Sequence, residues 1–225
     1  MSDSDAPAAP NLRADLARAA QTTDVVERTL EVVALIEAVA APLGIHPVVV
    51  GGMAVYFWVE SEAFLTYDID VVMEVPAELD AKLAELGFVR APDGRHWELP
   101  GTEVFFEAPS ANLDPDVVVA EVELPSGRTA KVLSRVDVLI DRLAEFQAMG
   151  HQIIGQQALM LLSGISDDEA QDLDARASNH RVGTILKAMR DLADDLAAGR
   201  EPPESDELHD IANAALKAEY SQGKP

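Results

Sequence analysis

The sequence predicts an α/β (α+β) protein: a mixed sheet flanked by helices, followed by a helical C-terminal region. Three observations carry that expectation. Apolar β-branched runs around Val48-Val49-Val50 and Ile69-Asp70-Val71-Val72 are separated by segments of helical period. Short alternating runs bounded by Pro, Gly, Asn and Asp fill residues 88–133, and beyond Ser134 only helical spacing is found. The expected division is a lead and short helix over 1–21, an α/β domain over 22–133 and a helical region over 134–225.

Taken in order, residues 1–10 form a polar, Pro/Ala-containing lead expected to fray. Asn11 or Asp15 starts a short helix through Leu12, Leu16 and Ala19. Thr22-Thr23-Asp24 caps a longer helix whose Val26, Leu30, Val33, Ile36 and Val39 share one face, and Pro42-Leu43-Gly44 ends it. A strand over 47–50 leads into a helix over 52–59, and a second strand over 69–73 has Asp68 at its entrance. Pro76 opens a helix through Leu79, Leu83 and Leu86, which Gly87 stops. Short strands follow at 88–90, 95–99 and 102–108, then a hairpin of 117–124 and 129–133 about Pro125-Ser126-Gly127-Arg128. Helices are expected at 136–149, 151–162, from Asp167, at 182–198 and at 206–220, with Glu201-Pro202-Pro203-Glu204 as a linker.

Composition narrows the function classes. Apolar residues make up 48% of the 225, enough for a sizeable core, and the absence of cysteine excludes disulfides, thiolate metal sites and cysteine nucleophiles. The first residues hold no apolar signal-type core and no apolar run reaches bilayer length, so a cytoplasmic protein without a membrane partner is expected. Lys and Arg number 17 against 40 Asp and Glu, a formal net charge of −23 that repels nucleic-acid phosphates as a whole. Such acidity reads as a solvated surface suited to a salt-rich cytoplasm, or as a surface for a basic partner. His46, His96, His151, His180 and His209 lie at no metal-ligand spacing, and nothing matches a P-loop.

The informative chemistry sits in Val48-Val49-Val50-Gly51-Gly52 and Thr66-Tyr67-Asp68-Ile69-Asp70. Side chains alternate across a strand, so Asp68 and Asp70 share a face and Ile69 takes the other. Adjacent carboxylates repel unless a cation lies between them, and hard oxygen ligands suit Mg²⁺. Gly at a strand-to-helix turn lets backbone N–H groups approach a phosphate at the positive end of the helix. A phosphate cradle beside a two-aspartate clamp is equipment for phosphoryl or nucleotidyl transfer. Glu103, Phe105 and Glu107 share one strand face, so either Glu can reach the site. Arg142 lies in an amphipathic helix, where pairing with Asp141 or Glu145 is the plain alternative to a functional role.

Gly51-Gly52, a helix, and Asp68-Ile69-Asp70 on a strand resemble the signature of the nucleotidyltransferase superfamily with the polymerase-β-like fold. The Gly-Gly form with Thr66-Tyr67 before the aspartates is similar to its AbiEii-type toxin branch and related nucleotidyltransferase-like proteins. Val104-Phe105-Phe106-Glu107, the segment Val132 to Leu143 and Gln156-Gln157-Ala158-Leu159 extend the resemblance over about residues 46–162. It implies that Gly51 and Gly52 hold a nucleoside triphosphate and that Asp68 and Asp70 bind Mg²⁺. Glu107 would complete the metal site and help deprotonate an acceptor hydroxyl, and Arg142 would neutralise phosphate charge. It also implies an RNA acceptor such as tRNA and a toxin role beside an antitoxin, while the net charge leaves protein and small-molecule acceptors open. The rivals are a catalytically silent module that binds nucleotide or a partner, and an adaptor built on the helical half.

Overall fold

The computed structural model describes residues 11–201 and 203–222; the expected lead over 1–10 and part of the 201–204 linker lie outside the described residues. Two compact units interleave along the chain. Among the described residues, one comprises 11–53, 66–115 and 119–132, the other 54–65, 116–118, 133–201 and 203–222.

The first unit holds the sheet. Its strands are β1 (Val48–Val49), β2 (Ile69–Val72), β3 (Val89–Arg90), β4 (His96–Glu98), β5 (Phe105–Ser110), β6 (Val119–Glu123) and β7 (Thr129–Leu133). They form one seven-stranded mixed sheet in the order β3-β4-β5-β2-β1-β7-β6. β1 runs antiparallel to β2 and parallel to β7, and β2 runs parallel to β5. The central strands are shorter than the apolar runs suggest, because Val50 leaves the ladder to enter the turn that follows.

Helices α1 (Leu12–Ala19), α2 (Val25–Ala40) and α4 (Ala77–Leu86) belong to this unit, and α3 (Gly51–Val59) begins in it. Asn11 caps α1 through the Ala14 N–H, and Asp24 caps α2 through the Glu27 N–H at 2.8 Å. Val33 and Ile36 of α2, and Leu79 and Leu83 of α4, are at most 1% exposed. Trp97 stacks on Phe106 at 5.1 Å, with Phe88 edge-on to Phe106 at 5.1 Å, so one face of β4 and β5 is core. The opposite face carries the chemistry described below.

The second unit is helical: the greater part of α3, α5 (Arg135–Met149), α6 (Gln152–Ser163), α7 (Asp167–Ala177), α8 (Gly183–Ala197) and α9 (Ser205–Gln222). Phe146 of α5 packs against Gly155 of α6, where an added Cβ would come within 2.8 Å of its ring. No helix among the described residues is long and apolar enough to cross a membrane.

One polar cluster ties this unit together. Ser134 caps α5 by accepting from the Asp137 N–H at 3.2 Å, and the Asp137 carboxylate accepts from the Val118 N–H at 3.1 Å. The Arg176 guanidinium of α7 closes on both Asp137 oxygens, and it also meets Asp172 at 3.3 Å. The Asp137 side chain is 3% exposed and that of Arg176 10%. Breaking a buried pair strands a charge, so Arg176→Ala is expected to cost about 3 kcal/mol. The urea midpoint of that variant should fall at an unchanged slope. Arg176→Lys should recover only part, since an ammonium cannot span two carboxylate oxygens as a guanidinium does.

Candidate active site

The site grows from the end of β1. The Val50 N–H donates to the Asp70 carbonyl at 3.0 Å, fixing β1 against β2 as the chain turns into α3. Gly51 makes that turn with φ +64°, a left-handed conformation that side-chain-bearing residues seldom adopt. A Cβ on Gly51 would lie 2.2 Å from Asp70 Oδ2, so the carboxylate occupies the space the missing side chain leaves. Gly52 is less constrained: its φ is not left-handed, and a Cβ there would first meet Thr66 Cγ2 at 3.3 Å. The structure therefore brings Gly51, Gly52 and Asp70 together, through the antiparallel pairing of β1 with β2. The first N–H groups of α3, which have no intrahelical acceptor, start at this point.

Asp68 enters β2 with its own N–H donating to Thr66 Oγ1 at 3.2 Å. Its Oδ1 is buried and has no hydrogen-bond partner among the described residues. Burial pushes the Asp68 carboxyl above the usual aspartate range, the Glu107 charge pushes it further, and His96 draws it partly back. A carboxyl raised in the folded state contributes stability below its unfolded pKa that is lost as pH rises through the folded one. Asp68→Asn removes the cost of ionisation, so the variant should melt above wild type near pH 7. The gain should vanish towards about pH 3, which thermal melts across that range would check.

On the neighbouring strand Glu107 is the register partner of Asp70, and His96 of β4 is the register partner of Glu107. The Glu107 carboxylate lies 3.1 Å from His96 Nε2 and 3.6 Å from Arg95. The other ring nitrogen of His96 lies 2.5 Å from Asp93. The Arg95 N–H, then His96, hold Asp93 down to about 2, and Asp93 in turn raises His96 above the usual histidine value. Among the described residues no three His, Asp or Glu side chains are grouped closely enough to hold a metal ion. Asp68, Asp70 and Glu107 share one sheet face, yet Glu107 is engaged by His96 and Arg95.

Glu103 precedes β5, in the turn, whereas Glu107 is within the strand. The Arg142 guanidinium is bound by Asp141 at 2.6 Å and Glu145 at 2.9 Å, the pairing that the plain reading of its helix gave. His96, which the sequence places beside Trp97 on a short strand and at no metal-ligand spacing, is the residue whose part in this face sequence reasoning missed. Alternation sends Trp97 into the core and His96 to the carboxylate face; the period-two pattern alone could have separated them.

No protein-family model matches the chain, and no curated protein matches it. Among solved structures, the crystal structure of an antigenic nucleotidyltransferase-like protein from Paracoccidioides brasiliensis is similar to it with a TM-score of 0.51. Identity is 18%, over 84% of this chain and 98% of that one. The solution structure of the antibiotic-resistance factor ANT(2'')-Ia also aligns, with a TM-score of 0.42 and 14% identity over 73% of this chain and 93% of that one. The fold is therefore nucleotidyltransferase-like.

Proposed function

We propose that this chain is a metal-dependent nucleotidyltransferase that moves a nucleoside monophosphate from an NTP to a hydroxyl acceptor. The observation that carries this reading is the Gly51 turn packed against Asp70, with the buried, unpartnered Asp68 Oδ1 on the same strand. An anionic oxygen buried without a donor is costly, and a cation is the economical partner for it.

Asp68 and Asp70 would hold Mg²⁺, with Glu107 completing the set once released from Arg95. Bound there, the ion would supply positive charge against the phosphate oxygens. The chain's own groups do the remainder. The N–H groups of Gly51 and Gly52 hold phosphate at the α3 N-terminus. Glu107, oriented by His96, accepts the proton of the acceptor hydroxyl. Arg142 serves phosphate only by exchanging its contacts with Asp141 and Glu145.

The finer reading, an AbiEii-type toxin acting on RNA beside an antitoxin, rests on the motif resemblance alone. A second reading, a silent nucleotide-binding module, is favoured by one specific observation: Glu107 is already committed to His96 and Arg95. Incubation with each labelled NTP and Mg²⁺, offering RNA, protein and small hydroxylated molecules, tests the choice. Label transferred in wild type and absent in Asp68→Asn is the expected result. No transfer in wild type, with a melting curve that NTP still raises, would assign the silent module.

A further inference from the structure

Glu107 is engaged by His96 and Arg95, yet both contacts fall on one of its oxygens. His96 Nε2 lies 3.1 Å and the Arg95 guanidinium 3.6 Å from Oε2. Oε1 has no partner among the described residues. Only the His96 contact is within hydrogen-bond distance, and the Arg95 side chain is 69% exposed against 33% for His96. Glu107 is the register partner of Asp70, and its charge is felt at Asp68, so the unclaimed oxygen belongs to the carboxylate face.

What holds His96 is Asp93, in the turn between β3 and β4, and its two oxygens have separate tasks. Oδ1 accepts the Arg95 N–H at 2.8 Å and the His96 N–H at 3.2 Å, which fixes the turn. Oδ2 meets His96 Nδ1 at 2.5 Å, which fixes the ring. The turn is anchored from its other side by Arg90, which donates to the Gly94 carbonyl from Nε at 3.0 Å and from Nη2 at 2.7 Å. The same guanidinium lies 5.0 Å from the centroid of the buried Trp97 ring. An imidazole pinned at Nδ1 presents Nε2 in one direction. A glutamate side chain has several rotatable bonds, and a rigid neighbour that holds it removes rotamer freedom before any substrate arrives.

We propose that Asp93 is a positioning residue of this site: through His96 it pins Glu107 Oε2 and leaves Oε1 free to meet the acceptor hydroxyl. The base role of Glu107 rests on the reading above. In the transfer, the hydroxyl oxygen bonds to the α-phosphorus of the NTP as its proton passes to Oε1. The bond from that phosphorus to the bridging oxygen breaks, and pyrophosphate leaves with the electron pair. The hold of His96 on Glu107, which otherwise favours a silent module, is then alignment of the base rather than its loss.

Asp93→Ser separates the two tasks. A serine hydroxyl still accepts the backbone N–H groups of the turn, and it has nothing in place of Oδ2. In NMR spectra of the full chain, Glu107→Gln should move the His96 ring signals, which are assigned by their loss in His96→Gln. In the Asp93→Ser background the same change should leave them in place, because the ring no longer faces Glu107. Label transfer from each NTP to RNA, protein and small hydroxylated molecules is the second readout. Asp93→Ser should lower the rate at saturating NTP about tenfold and leave the half-saturating concentration unchanged, since a misplaced base slows the step and not the binding. Equal movement of the ring signals in both backgrounds, or an unchanged saturated rate, overturns the positioning role. A raised half-saturation at an unaltered rate places Asp93 with the nucleotide and overturns it too. If the ring signals behave as expected but wild type labels nothing, Asp93 positions Glu107 in a silent module and nucleotidyl transfer falls. If wild type labels an acceptor while the ring signals ignore position 93, the transferase reading stands and the positioning role falls.

Discussion

Gly51→Val should lose NTP binding and about 4 kcal/mol of stability, whereas Gly52→Ala should fold as wild type does. The difference lies in two backbone facts. Gly51 has φ +64°, and any L side chain there is strained by about 1–3 kcal/mol, most for a β-branched one. The new Cβ would also lie 2.2 Å from Asp70 Oδ2, and relieving such overpacking costs about another 1–3 kcal/mol. Relief means moving the Asp70 carboxylate, which takes one arm of the proposed metal clamp away from the turn. Gly52 has neither problem, since its Cβ would press only on the Thr66 methyl at 3.3 Å. Chemical denaturation and calorimetric titration with NTP on both variants would measure this. A Gly51→Val protein as stable as wild type would show that Asp70 does not rest on this glycine in solution.

Much of this geometry was legible because strand alternation needs no knowledge of partners. Asp68 and Asp70 had to share a face, and Val71 at 0% exposure confirms that the run carrying them is interior strand. The glycine pair was legible as a turn; which of the two is indispensable was not, because that depends on where the Asp70 side chain comes to rest. Glu107 could be placed on a strand but not beside Asp70, since register between β2 and β5 is a long-range property. His96 escaped for the same reason: its approach to Glu107 follows from pairing of β4 with β5. In the helical part, Ser134 and Asp137 sit at capping-box spacing, which a sequence shows, but the Arg176 that claims Asp137 lies 39 residues on. Periodicity reports which face is buried and says nothing of which distant charge will meet it. The interleaving of the two units has a similar origin, as α3 begins beside β1 yet most of it belongs with α5 to α9.

Asp70→Asn separates an enzyme from a silent module, because it should act in opposite directions on stability and activity. The carboxylates of Asp68, Asp70 and Glu107 share one face, and the Glu107 charge already raises the Asp68 carboxyl. Replacing one anion by an isosteric amide lowers repulsion across that face, so the metal-free variant should be as stable as wild type or slightly more so. The same change removes a hard anionic ligand and leaves phosphate charge uncompensated during transfer, for an expected loss of at least about a thousandfold in rate, or ~4 kcal/mol of barrier. A structural ion pair through Asp70 predicts the reverse: the variant would be destabilised and Mg²⁺ would be irrelevant. Four melting curves decide, wild type and Asp70→Asn each with and without Mg²⁺ and NTP. A rise in the wild-type midpoint that the variant loses is the signature of the metal clamp, since a ligand that binds only the folded state raises stability with the logarithm of its concentration over Kd. If Mg²⁺ raises neither curve, Glu107 belongs to His96 and Arg95 permanently, and the face is the floor of a binding module.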